Sequence, residues 1–281
     1  MSFDKEFLLA SLLQYNYFPS QKKDKEELPP TINSEKLTPA VAEKLKRGTS
    51  RKGGYDQVEY RATRYNNVSR SLAIPHPLAY VNLCDVLSNN WEQLRYITQT
   101  KNSLIIPEAH DDGRIIVMDY ENTKEKIERH IKMSFNNKFF VNTDITNFFP
   151  SVYSHSIPWA LVGFDVSKKK REASEWFNQI DTYQRATKRD ETNGIPIGPA
   201  SSNIVCEALL ARIDKVLSDE GFQFIRFIDD YTAYFDTYEK AEEFIRRLSE
   251  ELAEYKLLLN IKKTFIEPLP LPSAYSDEFV H

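Results

Sequence analysis

Cysteine is nearly missing from this chain: Cys84 and Cys206 stand alone among 281 residues. Neither has a second ligand at metal-binding spacing, so a disulfide framework and a thiolate metal site are both excluded. No stretch approaches the roughly 18 consecutive apolar residues of a membrane span, so no membrane partner is expected. Met1-Ser2-Phe3-Asp4-Lys5-Glu6 has neither a basic leader nor a small-residue cleavage site, which argues against a signal peptide. With so few thiols, the expected location is the cytoplasm. No internal repeat is visible. A net positive charge is also lacking: the formal net charge is −4, which gives no support to indiscriminate nucleic-acid binding.

What is present is unevenly spread. Hydrophobic residues make up 41%, enough for a core in one large domain or two. Residues 36–70 hold nine lysines and arginines against three acids, whereas residues 219–281 hold fourteen acids against seven bases. The basic block is a solvated face on one reading. On the other, Arg51, Lys52, Arg61, Arg64 and Arg70 contact nucleic acid, since Tyr55, Tyr60 and Tyr65 are interleaved with them for stacking.

The most informative stretch is Phe224-Ile225-Arg226-Phe227-Ile228-Asp229-Asp230-Tyr231-Thr232-Ala233-Tyr234-Phe235. It reads as strand, tight turn and strand, with two carboxylates at the tip. Adjacent acids raise each other's pKa unless a cation is supplied. An ordinary hairpin with an acidic turn accounts for this stretch alone. A third acid, Asp144, ends the β-prone run Lys138-Phe139-Phe140-Val141-Asn142-Thr143. Three such carboxylates suit two hard cations about 3.5–4 Å apart, which clamp the attacking and leaving oxygens of a phosphoryl displacement.

Periodicity orders the second half as strand (138–144), helix (199–218), strand (222–228), strand (231–236), helix (238–255) and strand (257–266). This β-α-β-β-α-β series predicts an α+β fold, an antiparallel sheet with both helices on one face. Its first strand and central hairpin are neighbours, so Asp144 is expected beside Asp229 and Asp230. Upstream, helices are expected near Phe3–Leu12, from Thr38-Pro39 to Gly48, from Pro77 through Trp91, over 121–135 through Ile127, Ile131 and Phe135, and over 167–184. Gln21–Pro30 reads as a linker. Residues 103–106 and 114–118 read as a hairpin around Asp111-Asp112-Gly113. Arg114 is then either a surface arginine or a grip for a triphosphate. His76, between prolines, reads as structural.

In order, Asp144-Ile145-Thr146-Asn147-Phe148-Phe149, Gly194–Asn203, Phe227-Ile228-Asp229-Asp230 and Leu259-Asn260-Ile261-Lys262-Lys263-Thr264 resemble the palm motifs of reverse transcriptases. The resemblance covers about residues 70–267. It implies that Asp144, Asp229 and Asp230, with the Ile145 carbonyl, bind two Mg2+ ions, with Mn2+ as a substitute. It makes Phe149 the aromatic that excludes a 2′-hydroxyl, sets Pro196 and Gly198 along the nucleotide, and gives Lys263 the proton for departing pyrophosphate. Phe227 departs from the usual tyrosine, and Ile197 from the retroviral glutamine.

Arg64, Arg70, Ile74-Pro75-His76-Pro77 and Ile195–Pro199 resemble most the abortive-infection and related defence-associated enzymes of bacteria. That implies deoxynucleotide substrates, a non-coding RNA template or untemplated DNA product, a homo-oligomer, and in some members a protein tyrosine as primer. A retron-like or group II intron-like enzyme and an idle, nucleic-acid-binding palm are the alternatives. The implied domains are an N-terminal helix and linker (1–35), fingers (36–137, with 151–193), a palm (138–268), and the start of a further C-terminal region (269–281).

Overall fold

Aromatic and β-branched residues cluster in the runs that become the central sheet of the computed structural model, which describes residues 3–18, 33–48, 51–63, 69–118 and 123–270. Two compact units emerge. One comprises Met1–Thr100, Ile106–Met118 and Phe149–Leu210; the other comprises Lys101–Ile105, Asp119–Phe148 and Ala211–His281.

The first unit is mainly helical. Asp4 caps the helix Lys5–Gln14 by accepting from the Phe7 amide. Thr38 caps Pro39–Lys46, with proline in the first turn as expected. His76 caps Pro77–Asn89, its Nδ1 accepting from the Leu78 amide at 3.2 Å, which is the structural role expected of it. Leu8, Leu12, Tyr80, Leu83 and Phe177 are among the buried side chains of this unit. Asn16, fully buried, uses its side chain as a clamp: Oδ1 accepts from the Ile115 and Ile116 amides, and Nδ2 donates to the Ile116 carbonyl. Strands β1 (Val58–Thr63) and β2 (Ser69–Ile74) form an antiparallel pair.

Two expectations fail here. The helix expected over 167–184 is broken into Phe164–Lys169 and Trp176–Ala186, because four successive bases, Lys168–Arg171, offer no apolar face at the join. Residues 103–106 do not pair with 114–118; the chain doubles back with the Glu108 amide donating to the Ile115 carbonyl and the His110 amide to the Arg114 carbonyl. A tight turn does occur, with the Gly113 amide donating to the His110 carbonyl, but residues 102–104 are taken by another strand.

The second unit is built on a four-stranded antiparallel sheet of β3 (Phe139–Asp144), β4 (Phe224–Phe227), β5 (Asp230–Phe235) and β6 (Phe265–Pro268), in the order β4-β5-β3-β6. Strand alternation gives each face its own partners. Phe224 and Phe235 meet Phe244 of the helix Tyr238–Glu254, each at 5.5 Å between ring centroids. On the same face Arg226 and Tyr231 reach Asp214, on the helix Ala200–Asp219. Both helices of the β-α-β-β-α-β series therefore lie on one side. On the other side, Phe140 and Tyr234 pack with His130 of the helix Thr123–Ser134, and the Tyr234 hydroxyl shares a 2.7 Å hydrogen bond with His130 Nδ1. That helix presents Ile127 and Ile131 to solvent, and Phe135, just past its end, is 84% exposed. The outer edge of β4 is covered by residues 102–104: the Arg226 amide donates to the Asn102 carbonyl, and the Leu104 amide to the Arg226 carbonyl.

Among the described residues, no helix is long and apolar enough to cross a membrane. Cys84 and Cys206 are buried free thiols.

Candidate active site

Register decides which acids meet. β3 and β5 pair so that Asp144 is the direct partner of Asp230, Thr143 of Tyr231 and Asn142 of Thr232. The turn joining β4 to β5 consists of Ile228 and Asp229. It is pinned to the end of β3 by the Ile145 amide, which donates to the Asp229 carbonyl at 3.2 Å. Ile228 has φ 57°, a left-handed conformation that a β-branched residue strongly disfavours. Such strain costs about 1–3 kcal/mol and persists only where the surroundings impose it.

Asp144 is 6% exposed and held on three sides. Its carbonyl accepts from the Asn260 amide at 2.7 Å. Its Oδ1 accepts from Asn260 Nδ2 at 3.2 Å, and its Oδ2 from Lys263 Nζ at 2.7 Å. The sequence pattern predicts a strand over 257–266, in which residues three apart point to opposite faces. Instead Ile261–Lys263 is a 3-10 turn, and within this stretch the strand proper is Phe265–Pro268. Three residues per turn bring positions 260 and 263 to the same side, which is how Asn260 and Lys263 converge on one carboxylate. Asn260 is the residue that sequence reasoning passed over. Its signal was the three-residue spacing to Lys263.

The electrostatics are those of crowded acids. Asp230 is open to solvent along one side, yet the protein packed around its carboxyl is the largest influence on it. That burial, with Asp229 and Asp144 as like charges, pushes Asp230 up to about 7, while Lys263 pulls it down. Lys263 is pushed up, first by its hydrogen bond to Asp144 and then by the surrounding acids. Among the described residues no three acidic, histidine or cysteine side chains form a ready-made metal cage. Mg2+ rarely asks for one: it usually takes one or two carboxylates and completes its octahedron with water and substrate phosphate. Asp144 and Asp230, opposed across two strands and burdened by each other's charge, fit that requirement. Asp229 adjoins Asp230 in the β4–β5 turn, and Ile145 adjoins Asp144 at the end of β3, the two joined by the Ile145 amide on the Asp229 carbonyl.

Asp144, Ile145, Asp229, Asp230 and Lys263 are thus assembled within one unit. The remaining candidates belong to the other. Phe149 is buried, and its carbonyl accepts from the Ile195 amide at 2.8 Å. Pro196 is buried and Gly198 is half-buried, in a loop tied to β2 by the Ala73 amide donating to the Ile197 carbonyl. Arg114 is 3% exposed, with Nε 2.8 Å from Asp112 Oδ2, so reaching a triphosphate would require it to swing out of that ion pair. Arg51, Lys52 and Arg61 are exposed and Arg70 is half-buried. Arg61 pairs with Ser71 and Arg70 with Ala62, so the two arginines point to opposite faces of the β1–β2 ribbon. Arg64 lies outside the described residues.

The profile of the family described as reverse transcriptase (RNA-dependent DNA polymerase) matches residues 88–271. Among solved structures, apo telomerase from Candida tropicalis is similar, with a TM-score of 0.51, 11% identity, and coverage of 93% of this chain and 52% of that one. Telomerase from Candida albicans in complex with a TWJ fragment of telomeric RNA is similar too, with a TM-score of 0.51 and 11% identity, over 82% of this chain and 43% of that one. At such identities the likeness is one of fold. This chain spans about half the length of those proteins. No curated protein matches the sequence.

Proposed function

This chain belongs to the reverse transcriptase (RNA-dependent DNA polymerase) family, and from that premise we propose that it extends DNA by metal-dependent nucleotidyl transfer in bacterial anti-phage defence. The observation that carries the chemical part is the Asp144–Asp230 register pair, with Asp229 in the adjoining turn and Lys263 on Asp144. Asp144, Asp229, Asp230 and the Ile145 carbonyl are the groups to hold two divalent ions, Mg2+ in the first instance. Bound there, the ions supply the charge that steadies the attacking and leaving oxygens.

The chain's own residues do the rest. The β3–β5 pairing fixes the spacing of the carboxylates before substrate arrives, so little reorganisation is needed during reaction. Asn260 holds Asp144 in one rotamer. Lys263, 60% exposed and always protonated at neutral pH in this acidic setting, is the donor at hand for a leaving phosphate oxygen. Phe149 acts as the sugar gate, and Pro196 and Gly198 line the nucleotide. RNA is the expected template and the cytoplasm the expected location.

The defence role rests on the resemblance of Ile74–Pro77 and Ile195–Pro199 to defence-associated enzymes. The test is incorporation of labelled deoxynucleotides on a primed RNA with Mg2+, beside Asp230→Asn as control, and sequencing of the nucleic acid that co-purifies. Equal incorporation by parent and variant would sink the chemical reading. Failure to restrict phage in cells that express the active protein would sink the defence role.

A further inference from the structure

Among the described residues Arg226 is the second largest of the fully buried side chains, after Trp91, with its guanidinium group wholly enclosed. Nε and Nη2 both donate to Asp214 Oδ2, at 2.9 and 2.7 Å, while Asp214 Oδ1 accepts from the Tyr231 hydroxyl at 3.1 Å. The remaining nitrogen, Nη1, donates to the carbonyl of Ile228 at 2.8 Å. Ile228 is the residue with φ 57°, immediately before Asp229 and Asp230. The backbone of Arg226 is itself fixed on both sides, by the Asn102 carbonyl and the Leu104 amide.

A buried ion pair is a poor device for stability alone. Desolvation offsets most of its attraction, and a well-packed apolar pair serves as well or better. What an apolar pair lacks is a donor for the Ile228 carbonyl. We infer that Arg226, anchored by Asp214, is a positioning residue: it holds the strained turn at Ile228 and thereby aims the Asp229 and Asp230 carboxylates. The anchor matters because a guanidinium gripped by Asp214 cannot follow the carbonyl if the turn relaxes. Planarity matters because the fork serves both partners at once, which a single ammonium does not. The inference rests on the reading of these aspartates as the metal-binding acids.

The test measures Mn2+ affinity by loss of the free-ion electron paramagnetic resonance signal, without substrate, alongside thermal melting. Arg226→Lys keeps the charge opposite Asp214 but gives up the second contact. Arg226→Met with Asp214→Asn removes both charges and leaves Tyr231 an acceptor. Each is also made with Ile228→Gly, which relaxes the turn's need for support. The expected result is Mn2+ binding about 10-fold weaker in Arg226→Lys and in the double variant, the size of effect seen when a ligand's supporting partner is lost. Ile228→Gly should recover most of that loss without changing the melting temperature in parallel.

A folded Arg226→Lys protein with parental affinity overturns the inference. So does a loss that Ile228→Gly leaves untouched, which would assign Arg226 to packing. If the double variant fails to fold, Arg226→Lys alone decides. A parent that binds no Mn2+, or that binds it equally after Asp230→Asn, overturns the metal-site reading itself, a separate result from failure of the variants.

Discussion

Asp144 and Asp230 are register partners on neighbouring antiparallel strands, and one of them holds the ammonium of Lys263 at 2.7 Å. A cluster built this way is a site with too much negative charge and one cation of its own. Its behaviour follows from that imbalance.

Removing an acid should therefore cost activity and not stability. Asp229→Asn or Asp230→Asn should lower nucleotide incorporation by about 100- to 1,000-fold or more, because charge stabilisation carries the reaction and the amide keeps the shape. The melting temperature of metal-free Asp230→Asn at pH 8 should equal or exceed the parent's. Near-parental incorporation by either variant would remove these residues from the site.

The raised Asp230 has a definite pH signature. Its folded pKa, about 7, lies above the ordinary carboxylate value of 3.8. Its contribution to stability is thus full below about pH 4 and is lost as pH rises through 7. Metal binding runs the other way, since the ion displaces the proton. Mg2+ affinity should climb between pH 6 and 8, with about half a proton released at pH 7 and close to one near pH 6. Calorimetry in two buffers of different ionisation enthalpy counts that proton, and Asp230→Asn should abolish its release.

Lys263 is tied to the same equilibrium, because its charge pulls the Asp230 carboxyl down. Lys263→Met should move the midpoint of the pH dependence upward. If the lysine also donates a proton to pyrophosphate, incorporation should fall by about 100-fold, with Lys263→Arg retaining the midpoint and not the rate. A midpoint that stays in place would separate Lys263 from the acids electrostatically.

Phe149→Ala should raise ribonucleotide incorporation relative to deoxyribonucleotide by removal of a steric barrier. Phe149 is buried, so a destabilisation of about 3–5 kcal/mol accompanies the change. The ratio of the two rates, measured below the variant's melting temperature, is the readout that survives this loss. An unchanged ratio would take Phe149 out of sugar selection.

For the basic block, each lost phosphate contact should flatten the log–log salt dependence of single-strand binding by about 0.7. Arg61 and Arg70 face opposite sides of their ribbon, so one strand lying along one face engages one of them. Neutralising Arg51, Lys52, Arg61 and Arg70 singly, and titrating labelled RNA at several salt concentrations, should divide them into contributors and bystanders. If every slope stays at the parental value while light scattering shows a smaller assembly, the block serves association between copies.

The central acids were legible in the sequence because strand order alone makes β3 and β5 neighbours, and alternation then sets which residues face each other. The stretch around Lys263 was not. Leu259, Ile261 and Phe265 look like a strand, yet short-range bonds to the Asn260 and Ile261 carbonyls win and curl it into a 3-10 turn. Residues 103–106 are β-prone as expected, but they settle against Arg226 and not against 114–118. The helical spacing of Ile127, Ile131 and Phe135 was read correctly as a helix. Its contact with the sheet comes instead from half-buried His130, which no apolar pattern marks. Arg226 and Asp214 were invisible for a similar reason: two opposite charges in separate elements announce nothing until the fold brings them together.

The β4-β5-β3-β6 order also carries a consequence in time. β3 sits in the interior of the sheet, and both of its neighbours are encoded far downstream, β5 ending at Phe235 and β6 at Pro268. On a ribosome adding about 5–20 residues per second, the nascent chain exposes Phe139-Phe140-Val141 for several seconds before either partner exists. Pairings of such long sequence separation are also slow to form once possible. Asp144 therefore waits in an unsupported strand until the chain has been extended to Phe235. The candidate site closes only after β5 and β6 have been made, and the interval before it closes is when a chaperone would matter most.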